Sequence, residues 1–442
     1  SAFFQPSMRL GLPVLASLKM GSHELAWGDA DVAKRLSTLA NDHSLDISGG
    51  TIRRTSSRFC FGVEHGDYNG TPLFGVGTDR YIWLAYKPNA SGKCRILSGN
   101  YLAEGVVEFA LGDVPPPLDD ATCKLWARFP YGVEYVLRQN GLKTFKGFDA
   151  VLLGNIPGGG MSRSASLCIN LLQTVLVVNG AAVKDDHANG MEIVRLAKQV
   201  ENDYIGSPCG DLDQIMIVFA KAGCGTLYDP AKGSVKHVPL GPDAPDFAMM
   251  ALDTGTDRPG LDKSTYKIRK AECDSFAELL RENGALKAGA QLGAVVEEDM
   301  YLKLMSVYAG SHPNECKRLK YLYEAQKRFH GMLSAWERGD IETVGAVFRA
   351  DGVGLRGDYD ISGPELETMC DIVRTVPGVY GERMLGGGDK GAAGCLVAAD
   401  AVDAVKAAVD VAYPRSRPHL ADKYAVHVVR PCDGVVVLEG LV

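Results

Sequence analysis

No part of the chain carries the roughly 18 uninterrupted apolar residues that a membrane-spanning helix needs, so no membrane partner is expected. The opening run SAFFQPSMRLGLPVLASLKM lacks a basic segment ahead of an apolar one and does not read as a secretory signal. There is no CxxC pair. The 11 cysteines are an odd number, and most stand alone in apolar or mixed runs, as Cys168, Cys224 and Cys395 do. That pattern excludes a disulfide framework or a zinc ribbon and points to reduced thiols in a cytoplasmic protein. Basic residues are not in excess: 47 Lys and Arg face 54 Asp and Glu, for a net charge of −7. Without a basic excess or stripe, a nucleic-acid partner is not expected. No internal repeat is found. Glycine alone is plentiful, at 51 residues, but it follows no period, which excludes collagen and low-complexity sequence.

What is present is a folded chain. Its 442 residues, 46% hydrophobic and 23% charged, suit two or three packed units at roughly 150 residues each. Residues 31–44 have amphipathic helical spacing. Residues 51–100 read as strands broken at DYNGTP and NASGK. A helix is expected around 126–140, a short strand at 148–153, another helix at 191–204 and a hairpin at 214–228. Helices dominate from about residue 264, and the tail returns to strand, helix and strand. The shift near 260 suggests a boundary between lobes.

The glycines fall in bursts. GNIPGGGMSRSASL, at 154–167, follows the short apolar strand and precedes an apolar run of helical length. A strand, a glycine loop and a helix start together present free backbone N–H groups and the positive end of a helix dipole, which is an anion site. Gly158, Gly159 and Gly160 would let the backbone approach a phosphate, and Ser162 and Ser164 add hydroxyls. The loop has no GxxxxGK[ST] and does not fit GxGxxG, so neither a Walker loop nor a dinucleotide fingerprint is present. A second constellation lies in SRFCFGVEHGDYNG, at 57–70, where Arg58, Glu64, His65 and Asp67 place a cation, two carboxylates and an imidazole beside a turn. Such groups suit a sugar, whose hydroxyls need both donors and acceptors. On the residues alone, a solvated turn is the other reading.

Five ordered segments resemble the galactokinase family of the GHMP small-molecule kinases. GNIPGGGMSRSASL is similar to the family's phosphate loop. SRFCFGVEHGDYNG resembles GRVNLIGEHTDYNG, and GSPCGDLDQ (206–214) resembles GxPCGIMDQ. STYKIRKAEC (264–273) and MLGGGDKGAAGCLV (384–397) resemble the family's SxYxxRRxEC helix and glycine-rich C-terminal segment. The resemblance implies an α+β, two-lobe fold. It has a ribosomal-protein-S5-like N-terminal lobe over 1–260 and a ferredoxin-like C-terminal lobe with added helices over 261–442. It also implies ATP-dependent phosphorylation of the C1 hydroxyl of galactose or a related monosaccharide, with Mg²⁺ and no obligate protein partner.

Residue by residue, the resemblance makes Asp213 the catalytic carboxylate and Arg58 its partner. Glu64, His65, Asp67, Gly210 and Tyr266 fall at the sugar, and Gly158, Gly159, Gly160, Ser162 and Ser164 at the nucleotide phosphates. Ser164 and Glu201 (in QVENDYIG) fall at the metal, and Trp126 (in LWARFPYGV) beside the adenine. On the residues alone, Glu201 also reads as an exposed helix carboxylate, Trp126 and Tyr266 as core aromatics, and Asp213 as a helix or turn cap. The chain also departs from the family. Ser57, Gly62-Val63 and Gly66 stand where the family has Gly, Ile-Gly and Thr, and Asp211 takes the place of an apolar residue. Arg163 replaces a loop serine, and Asp389-Lys390 interrupts the C-terminal glycines. Asp211 is expected to face outward. Arg163 either contacts phosphate, points to solvent or interferes, and Lys390 is a phosphate contact or a turn charge. A 1-kinase for N-acetylgalactosamine, arabinose, a uronic acid or a heptose, and a non-catalytic sugar sensor, are the alternative functions.

Overall fold

The structure, a computed structural model, describes residues 27–256 and 265–440. The opening run weighed as a targeting signal, Ser264 and the boundary expected at 260/261 lie outside the described residues.

A nine-stranded sheet forms the first layer. Its strands are β1 (Thr51–Gly62), β2 (Leu73–Pro88), β3 (Cys94–Ser98), β4 (Val106–Phe109), β5 (Phe148–Gly154), β6 (Cys224–Asp229) and β7 (Ser234–Pro239), with β12 (Pro431–Cys432) and β13 (Val435–Leu438) from the tail. The main path runs β13-β1-β2-β5-β3-β4, and β3 and β5 are its parallel pair. Alternation along the strands sends side chains to opposite faces. Trp83 and Ala85 of β2 and Val151 and Leu153 of β5 meet Val32, Ala33, Leu36 and Ala40 of helix α1 (Asp29–Asp42) on one face. Ile82, Leu84 and Tyr86, with Ala150 and Leu152, face the main core.

On that second face lie α2 (Arg128–Gln139), α3 (Arg163–Val178), α4 (His187–Gln199) and α5 (Leu212–Val218). Helix α3 is buried almost all round, as an apolar central helix should be. Its polar residues recur every four positions and dock it on the sheet. Ser166 Oγ lies 2.8 Å from Thr55 Oγ1, Asn170 Nδ2 donates to the Ile82 carbonyl at 3.1 Å, and Thr174 Oγ1 accepts from Arg53 at 2.8 Å. The helix is thereby set in register on β1 and β2, and the loop before it has a fixed exit.

A second, antiparallel sheet runs β11-β8-β10-β9, from β8 (Phe247–Asp253), β9 (Val379–Met384), β10 (Ala392–Ala398) and β11 (Ala425–Val429). Helices α6 (Thr265–Glu282), α7 (Glu298–Tyr308), α8 (Pro313–Arg338), α9 (Ile341–Gly357), α10 (Pro364–Arg374) and α11 (Val402–Ser416) accompany it. Together the two sheets and their helices are the α+β architecture expected. The sheets exchange chain: β8, before residue 260, belongs to the second, and the tail returns to the first, where Ile52 opposes Leu438 and Thr55 opposes Val435.

Two local expectations change. The hairpin expected at 214–228 is instead helix α5 followed by the hairpin β6–β7. QIMIV is a short apolar run, and such a run is compatible with a buried strand or a buried helix. Helix α4 ends at Gln199, and residues Val200–Ile205 continue it as a wider π-type turn that carries Glu201. Such turns cluster at functional sites.

The helical layer is keyed to the first sheet by Trp336 of α8. Its ring lies 5.2 Å from Phe61 and 5.4 Å from Phe74, and its Nε1 donates to the Val238 carbonyl at 2.9 Å. Trp336→Ala is expected to lower the unfolding free energy by about 3–5 kcal/mol, read as a shift of the urea midpoint. A loss under about 1 kcal/mol would show that this joint carries little of the packing.

Candidate active site

Arg58 projects from β1 into the protein and is 2% exposed. Its Nε and Nη2 both donate to Asp213 Oδ1, at 2.9 and 2.6 Å, and its Nη1 donates to the Gly160 carbonyl at 2.5 Å. Burial works against the guanidinium charge, but Asp213 and Glu64 outweigh it and hold the group more firmly protonated than usual. One side chain thus ties together β1, the first turn of α5 and the glycine loop. A cavity of about 310 Å³ opens beside it, and every site residue singled out in the sequence lines its wall.

The carboxylates gather at one part of this wall. Asp67 accepts from the Leu212 N–H at 3.4 Å. Burial, and then the neighbouring Asp213 charge, push its carboxyl up to about 7. Gly210 packs directly on it: a Cβ there would lie 2.2 Å from Asp67 Oδ2. His65, with φ at 61°, stacks on Tyr359 with ring centres 4.9 Å apart, and Tyr266 lies 5.4 Å from it. The Tyr68 and Tyr359 hydroxyls meet at 2.7 Å, and Asn69 Nδ2 donates to the His65 carbonyl at 2.8 Å. Glu64 is fixed by Arg383 of β9, whose Nη1 donates to its Oε2 at 2.8 Å and whose Nη2 donates to the Cys60 carbonyl at 2.8 Å.

The glycine loop forms another part. Gly159 touches Gly391 of the C-terminal glycine burst so closely that a Cβ on Gly159 would lie 2.7 Å from the Gly391 Cα. Only two bare backbones fit that approach. Ser162, with φ at 61°, turns the chain into α3, and its Oγ is buried with no hydrogen-bond partner among the described residues. An orphaned buried hydroxyl at a helix N-terminus is what an anion would satisfy. Glu201 is buried, and its carboxyl is pushed up to about 7 by burial, against the hydrogen bond from Ser164, with Asp213 adding repulsion. Gln214 Nε2 donates to its Oε2 at 2.6 Å. Trp126 is buried at the cavity wall with its Nε1 unpartnered among the described residues.

Several residues that differ from the family are placed as well. Asp389 is a helix cap: its Oδ2 accepts from the Thr265 hydroxyl at 2.9 Å at the start of α6. Asp211 is not part of the cavity wall and pairs with Lys198 at 2.8 Å, although its charge adds to the repulsion at Asp67. Arg163 lines the cavity and is exposed. Sequence reasoning missed Arg383, Tyr359 and Asp253. Asp253, at the end of β8, accepts from the Gly158 N–H at 3.4 Å. No local signal marks these three, because each acts on a segment far away in the chain.

The Arg383–Glu64 pair is fully buried, so removing one partner strands the other charge. Arg383→Met is expected to cost about 3–5 kcal/mol of unfolding free energy. The double variant Arg383→Met/Glu64→Gln should lose less than the sum of the singles. Additive losses in denaturant titrations would contradict this coupling.

The chain resembles known proteins over most of its length. The GHMP kinases N terminal domain matches residues 128–221, which hold the glycine loop, α3 and Asp213. A galactokinase of Streptococcus thermophilus is 30% identical over 351 residues, covering 79% of this chain and 86% of that protein. One of Limosilactobacillus fermentum is 29% identical over 372 residues, covering 83% and 90%. The crystal structure of Lactococcus lactis galactokinase complexed with galactose superposes with a TM-score of 0.81 at 25% identity, covering 92% of this chain and 99% of that one. Methanococcus jannaschii mevalonate kinase shares the fold at a TM-score of 0.58 and 14% identity, covering 87% and 99%. Arg58, Asp213 and the glycine loop therefore sit in a GHMP kinase scaffold, and the chain belongs to the galactokinase family.

Proposed function

We propose that this protein transfers the γ-phosphoryl group of ATP to the anomeric C1 hydroxyl of galactose, giving galactose 1-phosphate and ADP. The observation that carries the reading is Arg58. It joins Asp213, beside the carboxylate and aromatic wall, to Gly160 in the phosphate loop. The galactokinases among the relatives, and the galactose held by the similar Lactococcus lactis structure, support galactose as the sugar.

Phosphoryl transfer asks the protein for position and charge more than for covalent chemistry. Glu64, His65, Asp67 and Tyr266 hold the sugar by its hydroxyls, and an analogue lacking one hydroxyl leaves a buried group unpaired. Asp213 orients the C1 hydroxyl and accepts its proton as the C1 oxygen bonds to phosphorus and the bond from the γ-phosphorus to the β,γ-bridging oxygen breaks. Arg58 fixes the Asp213 carboxylate and faces the charge that develops on the transferring group. The N–H groups of the glycine loop and of the first turn of α3, with Ser162 Oγ, take phosphate oxygens. Trp126 lies beside the adenine.

Ser164 and Glu201 fit Mg²⁺: both offer hard oxygens, they are hydrogen-bonded to each other, and Glu201 is a buried carboxyl that a cation would return to its charged form. Bound there, the ion would neutralise charge on the nucleotide phosphates. We place the protein in the cytoplasm. All 11 cysteines are free, as in a reducing compartment, and no helix among the described residues is long and apolar enough to cross a membrane.

Asp213→Asn is expected to lower kcat by roughly 10²–10⁴ while calorimetric galactose affinity is retained. Near-native turnover would place the chemistry on another carboxylate. A second expectation concerns pH. The sugar hydroxyls donate to the Asp67 carboxylate, whose carboxyl is pushed up to about 7, so protonation below this pH weakens the acceptor. With ATP and Mg²⁺ saturating, kcat/KM for galactose should rise with pH through about 7 and level off above it. A flat profile through neutral pH would exclude Asp67 as the titrating contact.

A further inference from the structure

Arg163 stands at the first position of α3, where the dipole of the helix presents its positive end. A cation there is disfavoured, and an acidic or neutral residue is the usual occupant. Arg163 is exposed and forms no ion pair among the described residues, yet it lines the cavity with Gly158, Gly159 and Gly160. The opposite charge that senses it is Asp253, which is engaged by the N–H groups of Gly158 at 3.4 Å and Gly255 at 2.9 Å. Two more cations, Lys124 and Arg128, flank Trp126 in the chain and line the same cavity. Arg128 is steadied by donation from its Nη1 to the Cys123 carbonyl. A cation held against a helix dipole with no carboxylate in contact is a group whose partner arrives with the ligand. The planar fork of an arginine matches phosphate oxygens two at a time.

From this geometry we propose that Arg163 is a nucleotide-phosphate contact that this chain adds to its glycine loop and that sets its affinity for ATP. The proposal rests on the kinase reading above and deepens it by naming a residue where the family's loop has a serine. It also separates Arg163 from a purely structural role. If Arg163 served only as a countercharge to Asp253, its removal would destabilise the unliganded protein. As a phosphate contact opposed by the helix dipole, it destabilises the unliganded protein by its presence.

The test compares the wild type with Arg163→Ser and Arg163→Lys. For Arg163→Ser, KM for ATP is expected to rise about 5- to 30-fold, in the range of a partly exposed charged hydrogen bond, with KM for galactose little changed. Its unfolding temperature without nucleotide should rise. Arg163→Lys should recover part of the ATP affinity, and added KCl should raise the wild-type KM for ATP more steeply than that of Arg163→Ser. An unchanged KM for ATP, or a lower unfolding temperature without nucleotide in Arg163→Ser, overturns the proposal while galactose-dependent ADP release by the wild type upholds the kinase reading. A wild type that neither binds ATP in calorimetry nor releases ADP overturns both.

Discussion

The guanidinium of Arg58 is the constraint on which the rest of the site depends. A charge buried this deeply costs several kcal/mol unless it is paired and hydrogen-bonded. Its partners come from two other parts of the chain, the Asp213 carboxylate and the Gly160 carbonyl. The protein can bury Arg58 only by bringing α5 and the glycine loop to β1. Gly386 closes over the same group from the far end of the chain, where a Cβ would lie 3.1 Å from Arg58 Nη2. The geometry that phosphoryl transfer needs is therefore also the geometry that satisfies a buried cation, and the site is organised before any ligand arrives.

A second buried cation does for the turn after β1 what Arg58 does for the glycine loop. Arg383 holds Glu64 and the Cys60 carbonyl at once, so the turn between β1 and β2 is anchored to the second sheet. Among the described residues, two carboxyls of the cavity wall, Asp67 and Glu201, are left without an arginine partner of this kind. Desolvation, with the nearby Asp213 charge, pushes the half-buried Asp67 and the buried Glu201 up toward neutrality. The repulsion among these carboxyls is one that hydrogen-bond donors or a cation would relieve. Function is written into these unmet demands. Ser162 and Trp126 show the same thing in polar form, each with a buried atom left unpartnered among the described residues.

Much of this was legible in the residues. The strand, glycine loop and apolar helix at 148–178 could be read because each is a local pattern, and the structure forms β5, the loop and α3 there. The site residues found through the ordered motifs all reach one cavity. The run at 214–228 misled because a short apolar stretch has no period long enough to separate strand from helix. Arg383, Tyr359 and Asp253 were invisible, since nothing in their sequence neighbours says that they meet Glu64, His65 and Gly158. Asp389 read as a break in a glycine loop, and its task as the cap of α6 depends on a helix that starts at the other side of the site.

Composition and local pattern were enough to read a folded, acidic chain, a strand, glycine loop and helix in succession, and a family resemblance. These properties depend on residue type and on spacing within about twenty positions, where backbone geometry is nearly dictated. Folding alone settled which charges are paired and which are left over. Pairing depends on separation in space, and β1, α5, β9 and the two glycine bursts converge only when the two sheets pack and exchange strands. The same glycines that had no period in the chain become contacts in the fold: Gly159 and Gly391 touch because neither carries a side chain.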